Sequence, residues 1–168
     1  MMRIESAGEG APTLVFGIGN PSRGDDAIGP LLIERLALAQ SAGRLPGVDL
    51  LTDFQLQPEH ALDLRGRQRL VVVDASLTGD APFVARRLSP HCEHAYSTHS
   101  TSAEELLAIT AQLYGRAPDA WLLAVRGFAF GLGNDPSVEA RANLNAAAGY
   151  LVACRCRPER TAPSLGAV

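Results

Sequence analysis

The chain has 168 residues, of which 46% are hydrophobic and 20% charged, and its formal net charge is -3. This is the length of one domain with an ordinary globular composition, and the small negative charge argues against a nucleic-acid or acidic-membrane partner. The first ten residues lack the apolar core of a secretory signal, and no apolar run is long enough to span a membrane. We therefore expect a cytoplasmic protein whose three cysteines remain reduced.

The predicted elements begin with a buried strand and a glycine-rich turn. Residues 14–18 form a short apolar run, which is typical of a strand covered on both faces. Three glycines follow within or after this strand and are expected to supply positive φ angles and close backbone approach: Gly17, Gly19 and Gly24.

A helix is predicted from Ile28, with apolar residues at helical spacing and Pro30 in its first turn. Asp25 and Asp26 therefore lie where a strand passes into a helix, at the edge where open α/β sheets bind ligands. One aspartate at this position is explained as a helix cap, and we assign that role to Asp25, with orientation of its neighbour as the alternative. The other carboxylate remains for chemistry.

The rest of the chain alternates between strands and helices. Further strands are predicted at residues 48–52, 70–74, 83–88 and 119–125, and helices at 58–64, 102–113 and from Asp135-Pro136 onward. Thr101 with Glu104, or Ser102 with Glu105, matches a capping box. The arginines at 65, 67 and 69 are expected to form a solvated edge. This order predicts an α/β fold, a three-layer α/β/α sandwich with a mostly parallel twisted sheet. We expect one domain over 1–168, with a core of about 13–153 and flexible tails at 1–12 and 157–168.

Three residues occupy matching places at the ends of predicted strands or before a predicted helix. Asp26 follows the first strand, Asp74 ends the third and His99 precedes a capping box, so all three are expected near the carboxyl edge of the sheet. Two carboxylates and an imidazole suit a borderline divalent metal, and an incomplete shell leaves positions for another ligand. Each also has a simpler explanation: Asp74 as a turn cap, His99 as a surface histidine.

Other constellations match known sites less well. Gly17 and Gly19 give two glycines of a dinucleotide-binding fingerprint, but Ser22 stands at the third. His91-Cys-Glu-His94 lacks the second ligand pair of a zinc knuckle, and Cys154-Arg-Cys156 is too closely spaced for a redox C-x-x-C motif. The chain contains neither H-E-x-x-H nor G-x-S-x-G.

The segment Gly17-Ile-Gly-Asn-Pro-Ser-Arg-Gly-Asp-Asp-Ala-Ile-Gly29 resembles the opening motif of the hydrogenase maturation proteases. These endopeptidases trim the C-terminus of the [NiFe]-hydrogenase large subunit. The resemblance continues, in the order of the family, through residues 71–75, 97–101 and 121–127, and it covers most of 13–152.

The resemblance implies a metal-dependent endopeptidase whose metal-sensing residues are Asp26, Asp74 and His99. The metal would be nickel supplied by the large-subunit precursor, so no cofactor of its own is expected, and no residue is identified as the catalytic nucleophile. The chain departs from the family at Asp26, where glutamate is common, and at 53–59, where many members carry Asp-Gly-Gly. Because of this second departure, the only functional role that the resemblance leaves for Asp53 is a contact that contributes to substrate specificity.

A monomer is expected, and two other functions remain open. One is a nickel-binding maturation chaperone that does not cleave. The other is a Rossmann-like nucleotide-binding enzyme that uses Gly17 and Gly19.

Overall fold

The computed structural model describes residues 2–4, 10–92 and 100–159. Within these ranges one sheet contains six strands: β1 Met2–Ile4, β2 Thr13–Ile18, β3 Val48–Asp53, β4 Arg69–Ser76, β5 Phe83–Leu88 and β6 Asp119–Arg126. Their order across the sheet is β1-β3-β2-β4-β6-β5. The four inner strands are parallel, and each outer strand pairs antiparallel with its neighbour.

The described helices cover both faces of the sheet: α1 Ile28–Ser41, α2 Ala61–Leu64, α3 Ala103–Tyr114 and α4 Val138–Ala153. Helices α1 and α4 contribute to the apolar cluster on one face, and α2 and α3 to the cluster on the other. Short 3₁₀ turns at Gly24–Ala27 and Pro58–His60 precede α1 and α2. The predicted three-layer α/β/α sandwich is confirmed.

The uninterrupted apolar runs of β2 and β4 follow from burial on both faces. Val15 and Val71 belong to the cluster under α1 and α4, whereas Phe16 and Val72 belong to the cluster under α2 and α3. These four residues are completely buried. Because successive side chains of a strand point to opposite faces, a strand between two helical layers must be apolar at every position.

Close backbone packing joins β2 to α1. A methyl group added at Gly17 would overlap the carbonyl oxygen of Gly29, in the first turn of the helix. Gly17 therefore serves close approach, and the predicted positive φ is found at Gly19 and Gly24.

Three expectations about local structure need correction, and one is confirmed. The predicted flexible segment 1–12 is wrong at Met2–Ile4, which pair with β3. The last helix begins after Ser137 rather than at Asp135-Pro136, since the Ser137 hydroxyl accepts a hydrogen bond from the Ala140 N–H at 3.2 Å. In α3 the capping box uses Ser102 and Glu105, which exchange hydrogen bonds of 2.8 and 3.1 Å.

The third correction concerns the arginine cluster, which lies at the amino edge of the parallel strands. The Arg67 guanidinium pairs with the Asp49 carboxylate, and the Ala11 N–H donates to the same carboxylate at 3.0 Å. The Arg67 side chain is only 13% exposed, so it is a part-buried structural contact rather than part of a solvated edge. In the part of the chain that the structure describes, no helix combines the length and apolarity that crossing a bilayer requires.

Candidate functional site at the carboxyl edge of the sheet

Asp26 is held over the end of β2 by the 3₁₀ turn Gly24–Ala27. The Asn20 N–H donates a hydrogen bond of 2.9 Å to the Asp26 carboxylate. Gly19 has a φ of 144°, and a side chain there would overlap the backbone oxygen of Asp26. Only glycine lets the turn close this tightly, which leaves the Asp26 side chain half-buried at the carboxyl edge.

Asp74 stands on the neighbouring strand at the same edge. It follows Val73, the last residue of β4 that is paired with β2. Burial raises the pKa of Asp74 to about 6, the Ala75 N–H counteracts this in part, and the negative charge of Asp26 raises it further. The turn Gly24–Ala27 packs against β4, so Asp26 and Asp74 lie at the same edge of the sheet, and their role as metal ligands stays a prediction.

The paired acids form an electrostatically unfavourable arrangement that a cation would relieve. The negative charge of Asp26 contributes to the raised pKa of Asp74, and a divalent cation bound beside both acids would offset that repulsion. Carboxylate oxygens are suitable ligands for such an ion. The chemistry of Asp26 and Asp74 therefore fits two ligands of a metal supplied from outside.

The third predicted ligand, His99, lies outside the described residues, as do Glu93 and His94 of the alternative zinc knuckle. Among the residues that are described, no three His, Cys, Asp or Glu side chains are grouped so that they could hold a metal ion. The metal site formed by Asp26, Asp74 and His99 therefore stays a prediction, of which the described residues include only the two acids.

Asp25 is fully buried, and its role differs from the predicted cap of α1. Its carboxylate accepts hydrogen bonds from the backbone N–H groups of Phe128, Ala129 and Ser137 at 2.7, 2.9 and 2.6 Å, and from the Ser137 hydroxyl at 2.9 Å. Burial by itself would raise the pKa of Asp25, but these four donors together lower it. The prediction that Asp25 caps α1 is therefore wrong. Instead it ties the turn that carries Asp26 to the loop between β6 and α4.

A histidine that the sequence analysis missed supports Asp53 at the end of β3. The Gln57 N–H donates to His60 Nδ1 at 2.9 Å, so the ring proton is on Nε2, which donates to Asp53 at 3.2 Å. His60 is buried, with its ring edge-on to Phe16 at 4.7 Å between centroids. Asp53 itself lines a cavity of about 200 Å³, together with Gly19, Pro21, Pro30, Thr52 and Phe54.

The sequence offered only a weak signal for this pair. Asp53 directly follows the predicted strand 48–52, and His60 comes seven residues later, inside the predicted helix 58–64. The 3₁₀ turn Pro58–His60 brings the imidazole back to the strand end. A strand-ending acid followed by a proline-initiated turn with a histidine was the pattern to look for.

The geometry argues against nucleotide binding at the glycine-rich turn and against a reactive thiol at Cys156. The Asn20 N–H, where a nucleotide phosphate would seek a donor, is already bonded to the negatively charged Asp26. Near the end of α4, burial and the neighbouring Cys154 raise the pKa of Cys156 to about 12. A thiol in this state is neither a good metal ligand nor a nucleophile.

Several solved structures share the fold of this chain. The chain is similar to the solved [NiFe] hydrogenase maturation protease HycI from Thermococcus kodakarensis KOD1, at 24% identity over 88% of this chain and 94% of that chain, with a TM-score of 0.67. It is similar also to the hydrogenase maturating endopeptidase HybD from E. coli, at 23% identity over 85% and 91% of the two chains, with a TM-score of 0.62.

The endopeptidase HycI from Escherichia coli has the same fold, at 18% identity over 88% of this chain and 99% of that chain, with a TM-score of 0.64. No protein-family model and no curated protein sequence matches the chain. At this level of identity the likeness shows a shared fold. The resemblance that the sequence motifs indicated is confirmed at that level.

Proposed function

We propose that the protein is an endopeptidase that removes the C-terminal peptide of a nickel-loaded [NiFe]-hydrogenase large-subunit precursor. The observation that supports this proposal is the position of Asp26 and Asp74 at one carboxyl edge, on the turn after β2 and on the adjacent parallel strand β4. This edge belongs to a fold shared with structures named as hydrogenase maturation proteases. The enzyme is expected to act as a monomer in the cytoplasm.

In this proposal Asp26, Asp74 and His99 complete the coordination of nickel that the precursor already holds. The hydrogen bond from the Asn20 N–H orients Asp26, and the buried position of Asp74 favours exchange of its proton for a metal ion. Docking the precursor's nickel against these side chains fixes the scissile bond beside them, which lowers the entropic part of the barrier. The bound ion can then polarise the carbonyl or activate a water molecule.

The test uses purified large-subunit precursor in nickel-loaded and nickel-free forms, with shortening measured by mass spectrometry. We expect only the nickel-loaded form to be shortened, because the nickel-free form lacks the ion that Asp26 and Asp74 bind. Shortening of both forms, or of neither, would contradict nickel sensing. Tight binding of the loaded precursor without cleavage would identify a maturation chaperone instead.

Variants then separate the site from the fold. Asp26→Asn, Asp74→Asn and His99→Ala are expected to fold and to lose cleavage. Asp135→Asn is the matched control, since this aspartate is exposed in the loop between β6 and α4. Cleavage that survives in all three site variants would exclude the assigned metal ligands.

A further inference from the structure

The loop between β6 and α4, residues 127–137 and called the β6–α4 loop below, is fastened to the turn that carries Asp26. The four hydrogen bonds accepted by the Asp25 carboxylate are one part of this attachment. Backbone hydrogen bonds are the other part: Asp25 N to Ala129 O at 2.7 Å, Gly24 N to Asn134 O at 3.0 Å and Gly133 N to Ser22 O at 2.7 Å. The β6–α4 loop is therefore fixed relative to the candidate site.

This fixed loop presents large apolar side chains to solvent. Phe128 is 49% exposed and Leu132 is 76% exposed. One face of the Phe128 ring contacts the Arg126 guanidinium, 5.3 Å from the ring centroid, which holds the ring in place. Two large apolar side chains exposed on one fixed loop are candidates for contact with a partner.

Other loops at the same edge share this property. Phe54 follows β3 and is 66% exposed, and Leu77 follows β4 and is 64% exposed. The strands that these loops follow lie on both sides of β2, whose end is covered by the turn bearing Asp26. The carboxyl edge therefore combines an acidic centre with an apolar rim, which consists of Phe54, Leu77, Phe128 and Leu132.

We infer that this apolar rim, with Phe128 and Leu132 as its fixed wall, docks the folded large-subunit precursor, and that Asp25 is the positioning residue for that wall. The inference rests on the proposed function and goes beyond it by naming the contact surface. The partner that fits presents a cationic centre surrounded by apolar side chains, since charge complementarity selects partners across an interface. A second copy of this chain fits poorly, because a two-fold contact would bring its Asp26 and Asp74 against the same acids.

The role of Asp25 follows from the cost of ordering a loop during binding. A loop that must be fixed as the partner docks lowers the affinity, and a loop already fixed does not. The buried carboxylate of Asp25 holds the backbone of Phe128 and Ala129 before any partner arrives. Its loss would weaken docking without removing a metal ligand.

The experiment measures kcat and KM for the nickel-loaded precursor, and Kd for the nickel-free precursor, with Phe128→Ser, Leu132→Ser and the double variant. The matched controls are Leu38→Ser on α1 and Leu113→Ser on α3, which replace residues that are 70% and 62% exposed away from this edge. We expect the double variant to raise KM and Kd about tenfold or more, with a much smaller change in kcat, as for paired interface hot spots. The controls should match the wild type.

Unchanged KM and Kd in the double variant, or equal increases in the controls, would overturn the docking inference while the proposed function could still hold. Wild-type protein that binds the precursor through Phe128 and Leu132 but never cleaves it would instead refute the proposed function and support the docking surface. Wild-type protein that neither binds nor cleaves would refute both. A wild-type dimer that the double variant converts to a monomer would show that the rim is a self-interface, and would also overturn the inference.

Asp25 is tested by comparison with a variant that is destabilised elsewhere. Asp25→Asn should raise KM several-fold more than it lowers kcat, because the wall formed by Phe128 is no longer pre-ordered. Arg67→Met lowers stability at the opposite edge and should leave KM unchanged. Equal effects of Asp25→Asn and Arg67→Met on KM would assign Asp25 a purely structural role.

Discussion

Replacing Asp25 with asparagine tests how strongly the turn bearing Asp26 is joined to the β6–α4 loop. The substitution keeps the size of the side chain but puts an amide N–H group where one acceptor oxygen was. In the wild type one carboxylate oxygen accepts from Phe128 N, Ala129 N and the Ser137 hydroxyl, and the other accepts from Ser137 N. With the asparagine oxygen in the first position, its amide group faces the Ser137 N–H, and two donors oppose each other.

The expected cost follows from these four contacts. A hydrogen bond to a charged group contributes about 1.5–3 kcal/mol net, and a neutral one about 0.5–1.5 kcal/mol. One bond is lost and three become neutral in Asp25→Asn, so we expect the free energy of unfolding to fall by about 5–7 kcal/mol. For a domain of this size that corresponds to a Tm lowered by roughly 20 °C.

The pH dependence of this effect has a definite sign. The hydrogen bonds lower the pKa of Asp25 in the folded state below its unfolded value. Its stabilising contribution is therefore complete above the unfolded pKa of about 4 and is lost as the pH falls through the folded value. The difference in stability between wild type and Asp25→Asn should be constant near neutral pH and narrow below about pH 4.

The assay is urea and thermal unfolding of wild type and Asp25→Asn at neutral pH and again in acid, with Asp135→Asn as the control. Asp135→Asn should change stability little, because Asp135 is exposed. A loss below about 1 kcal/mol at neutral pH would show that the four contacts contribute no more than a typical single hydrogen bond. A gap between wild type and Asp25→Asn that stays constant down to low pH would show that ionised Asp25 is not the stabilising species.

Three further perturbations have expected outcomes. Burial raises the pKa of Asp74 from 3.8 to about 6, so ionisation of Asp74 destabilises the fold as the pH rises through that window. Asp74→Asn should therefore raise the free energy of unfolding at neutral pH by about 1–2 kcal/mol, after allowance for solvent screening, and change it little near pH 4. The measurement is the Tm of both proteins at the two pH values. Gly17→Ala forces a methyl group into the backbone of α1 and should lower the free energy of unfolding by more than about 2 kcal/mol in urea titrations. Gly149→Ala is the control, because open space surrounds this residue of α4, and it should raise the free energy of unfolding by about 0.5–1 kcal/mol. Arg67→Met removes the cation beside Asp49 and should cost about 1–3 kcal/mol in the same titrations. Retention of full stability would contradict a stabilising role of this part-buried ion pair.

The fold was predictable because its signals are local. The apolar runs of β2 and β4 indicate strands that are buried on both faces, and the capping residue Ser102 indicates where α3 begins. The positions of the strands in the sequence also identify the residues at their carboxyl ends. The shared edge of Asp26 and Asp74 then required only the parallel order of β2 and β4.

Features that depend on distant partners were not predictable in the same way. The donors to Asp25 lie more than 100 residues away in sequence, so local pattern alone favoured a helix cap. The pairing of His60 with Asp53 depends on the path of a 3₁₀ turn, and strand β1 depends on the exposed edge of β3. In each case the decisive contact is tertiary, and the residues themselves carry no periodic signal.

The positions of Asp26 and Asp74 depend on backbone structure rather than on exposed loop side chains. Asp74 lies on β4, and the turn that carries Asp26 is closed over the end of β2 at Gly19 and by the hydrogen bond from the Asn20 N–H. The side chains of Phe54, Leu77 and Phe128 are exposed, so they can be replaced without moving that backbone. Substitutions at these positions can therefore change the apolar rim during evolution while the spacing of the two acids stays the same.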